Sequence, residues 1–349
     1  MKGLEFPVIG TKKPGFDEVF NLSDRDSRAK YFEAKAGPEI EKIKQYLKSG
    51  TFMAYMVGKK GSGKGTYSGM IADIFGRDKI AFVGVGDLIR EVHSGWDEFV
   101  KTDEYAELKK NYRGYISFDE AVDRLHGRNT TSLLPTEFIL ALLKVRLKRY
   151  SGKAIFLDGL PRDLDQVSYS LFFRELTNLR DDPDMFVMID IPLSVIEERI
   201  KSRVVCPKCK TSRSMTMVTK DIDYEDGKFY LLCDNPECNK ARMLTKEGDE
   251  LGIEPIRGRL EKDEEILKKV FALHGVPKIF ARNHVPVAEA EANFDEYEIT
   301  PEFVLSWDGK KVNVTEKPWV IKDDNGTDCH SLLAPPVTVS LIKQLAEIL

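Results

Sequence analysis

Nine consecutive residues, Gly58-Lys59-Lys60-Gly61-Ser62-Gly63-Lys64-Gly65-Thr66, gather glycines, hydroxyls and lysine at a spacing suited to holding phosphate. Glycines let successive backbone N–H groups turn inward around phosphate oxygens, a helix opening at Lys64 adds positive potential, and the Lys64 amine brings a mobile charge. The stretch means this only if a strand runs in and a helix runs out. The apolar run Phe52–Val57 precedes it and the periodic segment Lys64–Phe75 follows, so an anion nest is expected rather than an idle turn. Gly65 stands directly after the lysine, where such loops usually carry a Mg²⁺-binding hydroxyl, and the hydroxyl comes at Thr66. Mg²⁺ is therefore expected to be held mainly by phosphates and water.

A second chemistry lies in the cysteines. Cys206-Pro-Lys-Cys209 has the C-x₂-C spacing that lets two thiolates reach one tetrahedral ion, and Cys233 to Cys238 is a wider C-x₄-C. A Cys₄ zinc site is expected. A closed shell leaves no position for substrate, so the metal is structural, standing in for a core that so small a lobe cannot build. Two disulfides or four unrelated thiols are the competing readings, and iron or another tetrahedral ion remains open. Cys329, beside His330, is left over as a bland thiol.

The elements that must position these residues alternate. Phe52–Val57, Lys79–Val83, Ala154–Leu157 and Met185–Ile191 read as strands; Lys64–Phe75, Pro135–Tyr150 and Leu193–Arg203 read as helices. That rhythm implies crossovers and a parallel sheet covered on both faces. Residues 91–131 and 204–245 interrupt it and look like inserted lobes. In the first, Trp96, Phe99, Tyr105, Leu108, Tyr112, Tyr115, Phe118, Val122 and Leu125 are spaced as lobe core. His93, His126, His274 and His284 show no ligand spacing. Residues 1–50 form an extension whose Arg28–Leu47 segment has helical spacing around a Gly37-Pro38 break, and it carries no patterned chemistry. Phe303–Trp307, Lys311–Thr315 and Trp319–Lys322 suggest a small β meander, and Thr338–Leu349 a final helix returning to the core.

The Gly-x-Gly-Lys-Gly-Thr form of the loop resembles adenylate kinase and the other nucleoside monophosphate kinases. Further segments extend the resemblance in order: Gly86-Asp87-Leu88-Ile89-Arg90, Leu133-Leu134-Pro135-Thr136-Glu137, Asp158-Gly159-Leu160-Pro161-Arg162 with Gln166, and Glu198-Arg199-Ile200-Lys201-Ser202-Arg203. It covers roughly residues 51–285 plus the last helix, and the joint pattern is far more specific than any motif alone. The implied fold is a three-layer α/β/α P-loop kinase core with an inserted monophosphate-binding lobe and a zinc-binding lid. In residue terms, 1–50 is the N-terminal helical extension, and 51–90, 132–203, 246–285 and 336–349 form the core. Residues 91–131 are the monophosphate-binding insert, 204–245 the zinc lid, and 286–335 the C-terminal β-rich addition.

The implied donor site takes ATP on Gly58, Gly61, Ser62, Gly63, Lys64, Gly65, Thr66, Arg199 and Arg203. The implied acceptor site takes AMP on Val85, Asp87, Arg90, Leu133, Leu134, Gly159, Arg162, Gln166, Lys246 and Arg259. Phosphoryl transfer needs charge neutralisation and in-line positioning more than proton chemistry. Lys64, Arg90, Arg162, Arg199 and Arg203 therefore form the expected electrostatic clamp, with Asp158 organising the Mg²⁺ shell and the Gln166 amide reading the adenine edge. Residue chemistry alone allows plainer roles: Asp158 as a strand-end cap, and Arg199 with Arg203 as a solvated pair on one helix face.

The pattern is not followed everywhere. Val85 stands where adenylate kinases usually have a threonine facing the AMP base. Lys246 and Asp249 stand where the family has an Arg-x-Asp-Asp run, with Arg259 expected to supply a second arginine; a lysine lacks the bidentate fork. Arg213 replaces an aromatic residue that usually covers the donor adenine, and could stack there itself.

Composition is consistent with an enzyme: 349 residues, 42% apolar and 32% charged, support one large core with inserted lobes. The net charge of −4 advertises no nucleic acid or acidic membrane, so any anion site must be local. Apolar runs such as Met185–Ile189 are too short to span a bilayer, and the Met1-Lys2-Gly3-Leu4-Glu5 start lacks an apolar signal core. A cytoplasmic monomer is expected, with ATP and a nucleoside monophosphate as partners, Mg²⁺ accompanying ATP, and neither membrane nor nucleic acid. One rival is the same transfer to UMP, CMP or another monophosphate, favoured by Val85 and opposed by Gln166. The other is a zinc-containing nucleotide-binding regulator that uses Lys208, Lys210 and Arg213 on nucleic acid.

Overall fold

The computed structural model describes residues 3–127, 134–164, 166–167, 183–216 and 221–349. Its centre is a five-stranded parallel sheet in the order Lys278–Arg282, Asp184–Asp190, Met53–Gly58, Ala154–Asp158, Ile80–Gly84. Four of these are the short apolar runs read from sequence, each within a residue or two of the expected bounds. The fifth, Lys278–Arg282, was not anticipated. Ile279 and Ala281 are buried in one core and Phe280 packs half-buried on the other, so only three apolar residues stand between Lys278 and Arg282, a run too short to mark a strand.

Alternation along the strands builds two cores. Ala54, Met56, Phe156 and Val187 face one layer, which contains the helices Arg25–Tyr46, Lys64–Phe75 and Ala334–Ile348. Met53, Tyr55, Val57, Leu157 and Met188 face the other, against Thr136–Leu147 and Arg257–Phe271. A strand buried on both faces has no polar face to leave exposed, which is why these runs are continuously apolar. The fold is a three-layer α/β/α P-loop kinase architecture.

The N-terminal helix, Arg25–Tyr46, begins where the Asp24 side chain accepts from the Ser27 amide and bends at Ala36 (φ −146°), just before Gly37-Pro38. It packs into the first core through Tyr31, Phe32, Ile40 and Ile43. Lys35, fully buried, pairs with Asp295 at 2.7 Å, and Thr11 and Tyr31 both donate to the buried Glu298. The head of the chain is thereby fastened to the segment that precedes the last helix. A buried charge left unpaired is costly, so these pairs constrain the two segments together.

The expected meander is corrected. Pro301–Trp307 and Val312–Pro318 do form an antiparallel hairpin, but Val320–Lys322 leaves it. That strand pairs with Asp328–Ser331, which in turn pairs with His284–Pro286 in a separate three-stranded sheet. Pro318 ends the hairpin ladder and Trp319 is buried against Ile191 and Val195, so the chain turns toward the core. The hairpin lies instead on the cysteine lobe: the Phe303 amide donates to the Thr216 carbonyl at 3.0 Å, and Trp307 stacks on Tyr224 with centroids 4.6 Å apart.

Residues 85–125 form four helices whose aromatic rings meet edge to face, among them Trp96 with Tyr105 and Tyr112 with Phe118. Tyr115 does not join them and is 80% exposed. No helix among the described residues is long and apolar enough to cross a membrane.

Candidate active site

The glycine loop leaves the sheet at Gly58, on the central strand. A Cβ at Gly58 would sit 2.8 Å from Ser62 Oγ and 3.1 Å from Ile189 Cβ, so only glycine lets the loop turn this tightly. Gly63 takes φ +94° immediately before the helix begins at Lys64, a conformation that favours glycine. Lys64 Nζ donates to the Gly58 carbonyl at 2.9 Å and to the Lys59 carbonyl at 3.3 Å. Nothing lies within 4 Å of a Cβ built on Gly65, and Thr66 is exposed on the first helical turn. The loop therefore opens toward a cleft rather than into packing.

Asp158 ends the neighbouring strand, level with Met56 in the register, and its carboxylate stands 3.8 Å from Lys64 Nζ. Ligands of open parallel sheets bind beyond the carboxyl ends of the strands, where Lys64 and Asp158 meet. The cleft here encloses about 650 Å³ and is lined by the loop, Arg90, Asp158, Gly159, Arg162, Arg259 and Asp263. Burial lowers the pKa of Lys64, with Asp158 opposing. Burial and then the charge of Arg259 lower that of Arg162, while burial raises that of Asp158 despite Lys64 and Arg162. Lys60, Lys64, Arg90, Arg162 and Arg259 thus outnumber Asp158 and Asp263 in the lining of the cleft, and Arg162 Nε is buried with no hydrogen-bond partner among the described residues. A polyanion would satisfy both conditions.

Gly86 and Gly159 let the arginines in. A Cβ on Gly86 would lie 2.8 Å from Arg162 Nη2 and 3.4 Å from Arg90 Nη1; one on Gly159 (φ +95°) would lie 3.2 Å from both Arg162 Nε and Val85 Cβ. Gly86→Ala should therefore leave stability within about 1 kcal/mol, because a flexible guanidinium can move aside. The displaced group should lower kcat/KM for the acceptor by about 10- to 100-fold. Steady-state kinetics beside a thermal melt checks this, and unchanged kinetics would remove the close approach from the argument.

Several expected site residues lie elsewhere. Arg199 reaches the loop rim, donating to the Gly61 carbonyl at 3.3 Å. Arg203 does not enter the cleft: its guanidinium is held by both carboxylate oxygens of Asp249, with Nε to Oδ2 at 2.6 Å. Lys246 is exposed beside the short strand Leu244–Thr245. Asp87 pairs with Arg90 at the surface, Val85 is fully buried, and Leu134 packs against the helical insert. Leu133 lies outside the described residues. Gln166 is buried, its Oε1 accepting from the Arg162 amide at 2.8 Å and its Nε2 donating to Thr136 Oγ1 at 3.0 Å. In this conformation the amide is committed to protein rather than turned to a base. Arg213 pairs with Asp234 at 3.1 Å.

Sequence reasoning missed Asp263 and Thr136. Asp263 pairs with Arg259 at 2.8 Å and accepts from the Lys60 amide at 2.9 Å, tying the helix Arg257–Phe271 to the loop. The signal was present in the i, i+4 spacing of Arg259 and Asp263. Thr136 was visible beside Pro135, but nothing in the sequence says that it meets Gln166.

The four cysteines converge. One sulfur from each of Cys206, Cys209, Cys233 and Cys238 lies within 4.8 Å of the others, with Cys209 and Cys233 Sγ 3.6 Å apart, and none is in a disulfide. Four thiolates about 2.3 Å from one tetrahedral ion would have their sulfurs a little under 4 Å apart, so the donor set fits zinc. The apolar support around it is slight: Val204, Leu231 and Met243 are the other fully buried residues of that cluster.

No family model matches the chain. Curated relatives do. Adenylate kinase of Kosmotoga olearia is 29% identical over 223 residues, covering 63% of this chain and 86% of the relative. That of Thermotoga neapolitana is 29% identical over 233 residues, 66% and 89%, and that of Clostridium acetobutylicum 27% over 239 residues, 64% and 94%. A parallel sheet that delivers a glycine loop, a lysine and converging arginines to one cleft, together with the likeness to these relatives, marks the chain as an enzyme, an adenylate-kinase-like nucleoside monophosphate kinase.

Proposed function

We propose that the protein transfers the terminal phosphoryl group of Mg·ATP reversibly to AMP, giving two ADP. The observation that carries this reading is the convergence of Lys64, Arg90, Asp158, Arg162 and Arg259 on one cleft beside the glycine loop. In the proposed division of labour, Gly58, Gly61, Ser62, Gly63, Lys64, Gly65 and Thr66 hold the donor phosphates. Arg90 and Arg162 hold the acceptor phosphate, with Arg259 beside them. Asp158 orients water around Mg²⁺, which supplies charge neutralisation when bound with ATP. Arg199 and Arg203 close from the lid stem, which requires Arg203 to leave Asp249. Closure excludes water, without which the enzyme would hydrolyse ATP.

Cys206, Cys209, Cys233 and Cys238 are proposed to hold a structural zinc that organises the lid. The proposed lobes are residues 91–131 for the acceptor and 204–245 for the lid, around a core flanked by residues 1–50 and 286–335. A cytoplasmic monomer suits four reduced thiolates without disulfides.

A second acceptor, UMP or CMP, has an observation in its favour. Val85 is buried and apolar, and the Gln166 amide is occupied by Thr136 and the Arg162 amide, so neither of these two residues turns a polar group toward an adenine. A coupled assay of ADP formation with ATP and each monophosphate separates the readings. AMP should turn over fastest; absent AMP turnover beside brisk CMP turnover rejects the choice of AMP. Salt-dependent oligonucleotide binding with no transfer to any monophosphate would favour a regulator instead, although Arg213 is already paired with Asp234.

A further inference from the structure

The residue after Gly58 is a lysine that does not face the cleft. Lys59 is 1% exposed, and its amine points behind the loop, 2.5 Å from Asp324 Oδ2, 3.4 Å from the Ile191 carbonyl and 3.8 Å from Glu264 Oε2. Asp324 belongs to the tight turn between the strands Val320–Lys322 and Asp328–Ser331, far along the chain from the loop. That turn is rigidly made: the Asp323 side chain accepts from the Asn325 and Thr327 amides at 2.9 and 2.8 Å, and the Asp323 amide donates to the Thr327 carbonyl at 2.9 Å. The second carboxylate oxygen of Asp324 accepts from the Leu193 amide at 2.8 Å, at the start of the helix that carries Arg199. One buried carboxylate therefore holds both the phosphate loop and the helix leading to the lid.

The backbone of Lys59 passes this constraint onward. Its carbonyl accepts from the Ser62 amide at 3.0 Å and from Lys64 Nζ at 3.3 Å. If the Lys59 side chain shifts, the carbonyl that orients the catalytic lysine and the turn that aims the loop amides shift with it. We propose that Asp324 is a positioning residue for the phosphate loop, acting through Lys59, and that the C-terminal addition serves the donor site through this contact. The inference deepens the kinase reading and rests on it for its kinetic consequence, but its structural consequence can be read with no nucleotide present.

The test uses the full chain and two variants, Asp324→Asn and the double variant Lys59→Met with Asp324→Asn. The single variant leaves a buried ammonium with the Ile191 carbonyl and, as a carboxylate, the more distant Glu264. The double variant removes both charges, so it separates loop positioning from simple charge compensation and remains informative if the single variant folds poorly. In both, hydrogen exchange of the loop amides from Gly58 to Thr66 in nucleotide-free protein should accelerate roughly tenfold, while exchange in the central sheet stays as in the parent. KM for ATP should rise about tenfold with a smaller change in kcat, and Asp324→Glu should restore part of it. Loop exchange and KM unchanged in the double variant would overturn the inference. Should the parent protein phosphorylate no monophosphate, the kinase reading fails separately, and the exchange measurement still decides whether Asp324 positions the loop.

Discussion

Lys64→Met should lower kcat for ADP formation by on the order of 1,000-fold while leaving the melting temperature nearly unchanged. Methionine keeps the length and much of the packing of the lysine stem, and the side chain is 15% exposed, so little burial is lost. The charge is what disappears. In the parent the ammonium is held by the carbonyls of Gly58 and Lys59, two weak acceptors that a phosphate oxygen would outcompete. Burial lowers the pKa of this amine, so an arriving anion gains from a poorly solvated cation. On the proposed reading, Lys64 is thus preorganised for charge that develops on transfer. A coupled ADP assay with saturating ATP and AMP reads the effect, and a variant within tenfold of the parent would remove Lys64 from the mechanism.

The second large effect is expected at the cysteine lobe, the proposed lid. Cys233→Ser, or chelation of the parent protein, should unfold the cysteine lobe while the five-stranded sheet stays folded, and should lower kcat at least about 100-fold. Apart from its thiols, the described residues of the lobe bury little more than Val204, Leu231 and Met243, each contributing about 1.5–3 kcal/mol at most. So small an apolar cluster does not by itself offset the entropy of ordering the lobe, and on the proposed reading a bound metal supplies the missing constraint. Trp307 offers a local probe because it stacks on Tyr224 of the lobe, whereas Trp96 and Trp319 are packed elsewhere. Elemental analysis should find one equivalent of zinc in the parent, and its removal should release Trp307 from its stack on Tyr224, changing its fluorescence, and open the lobe to protease. Metal-free protein with a protease-resistant lobe and parental kcat would reject the structural zinc.

How far the site was legible depends on the range of the interactions involved. The glycine loop, the pair Gly86 and Arg90, and Asp158 with Arg162 were legible because each motif is contiguous and its strand or helix context is written into the adjoining residues. The cysteine pairs were legible because ligand spacing within each knuckle is local. Arg203, by contrast, was expected over phosphate and is held by Asp249; Gln166 was expected to read a base and is held by Thr136. Both are long side chains whose partner is chosen by folding. The β meander failed for a related reason, since alternation marks a strand without naming its neighbour, and Val320–Lys322 found its partner in Asp328–Ser331.

By itself, the sequence determined the parallel α/β core, the phosphate loop and the thiolate set, because strand period, glycine placement and knuckle spacing are properties of short stretches of chain. Only the tertiary structure decided which of 57 acidic residues meets which of 53 cations. Asp263 came to the loop amide, Asp249 to Arg203 and Asp324 to the buried Lys59, the last from more than 260 positions away. Charge carries no address along a chain; an ion pair acquires one only when burial strips both groups of water and leaves a single partner within reach.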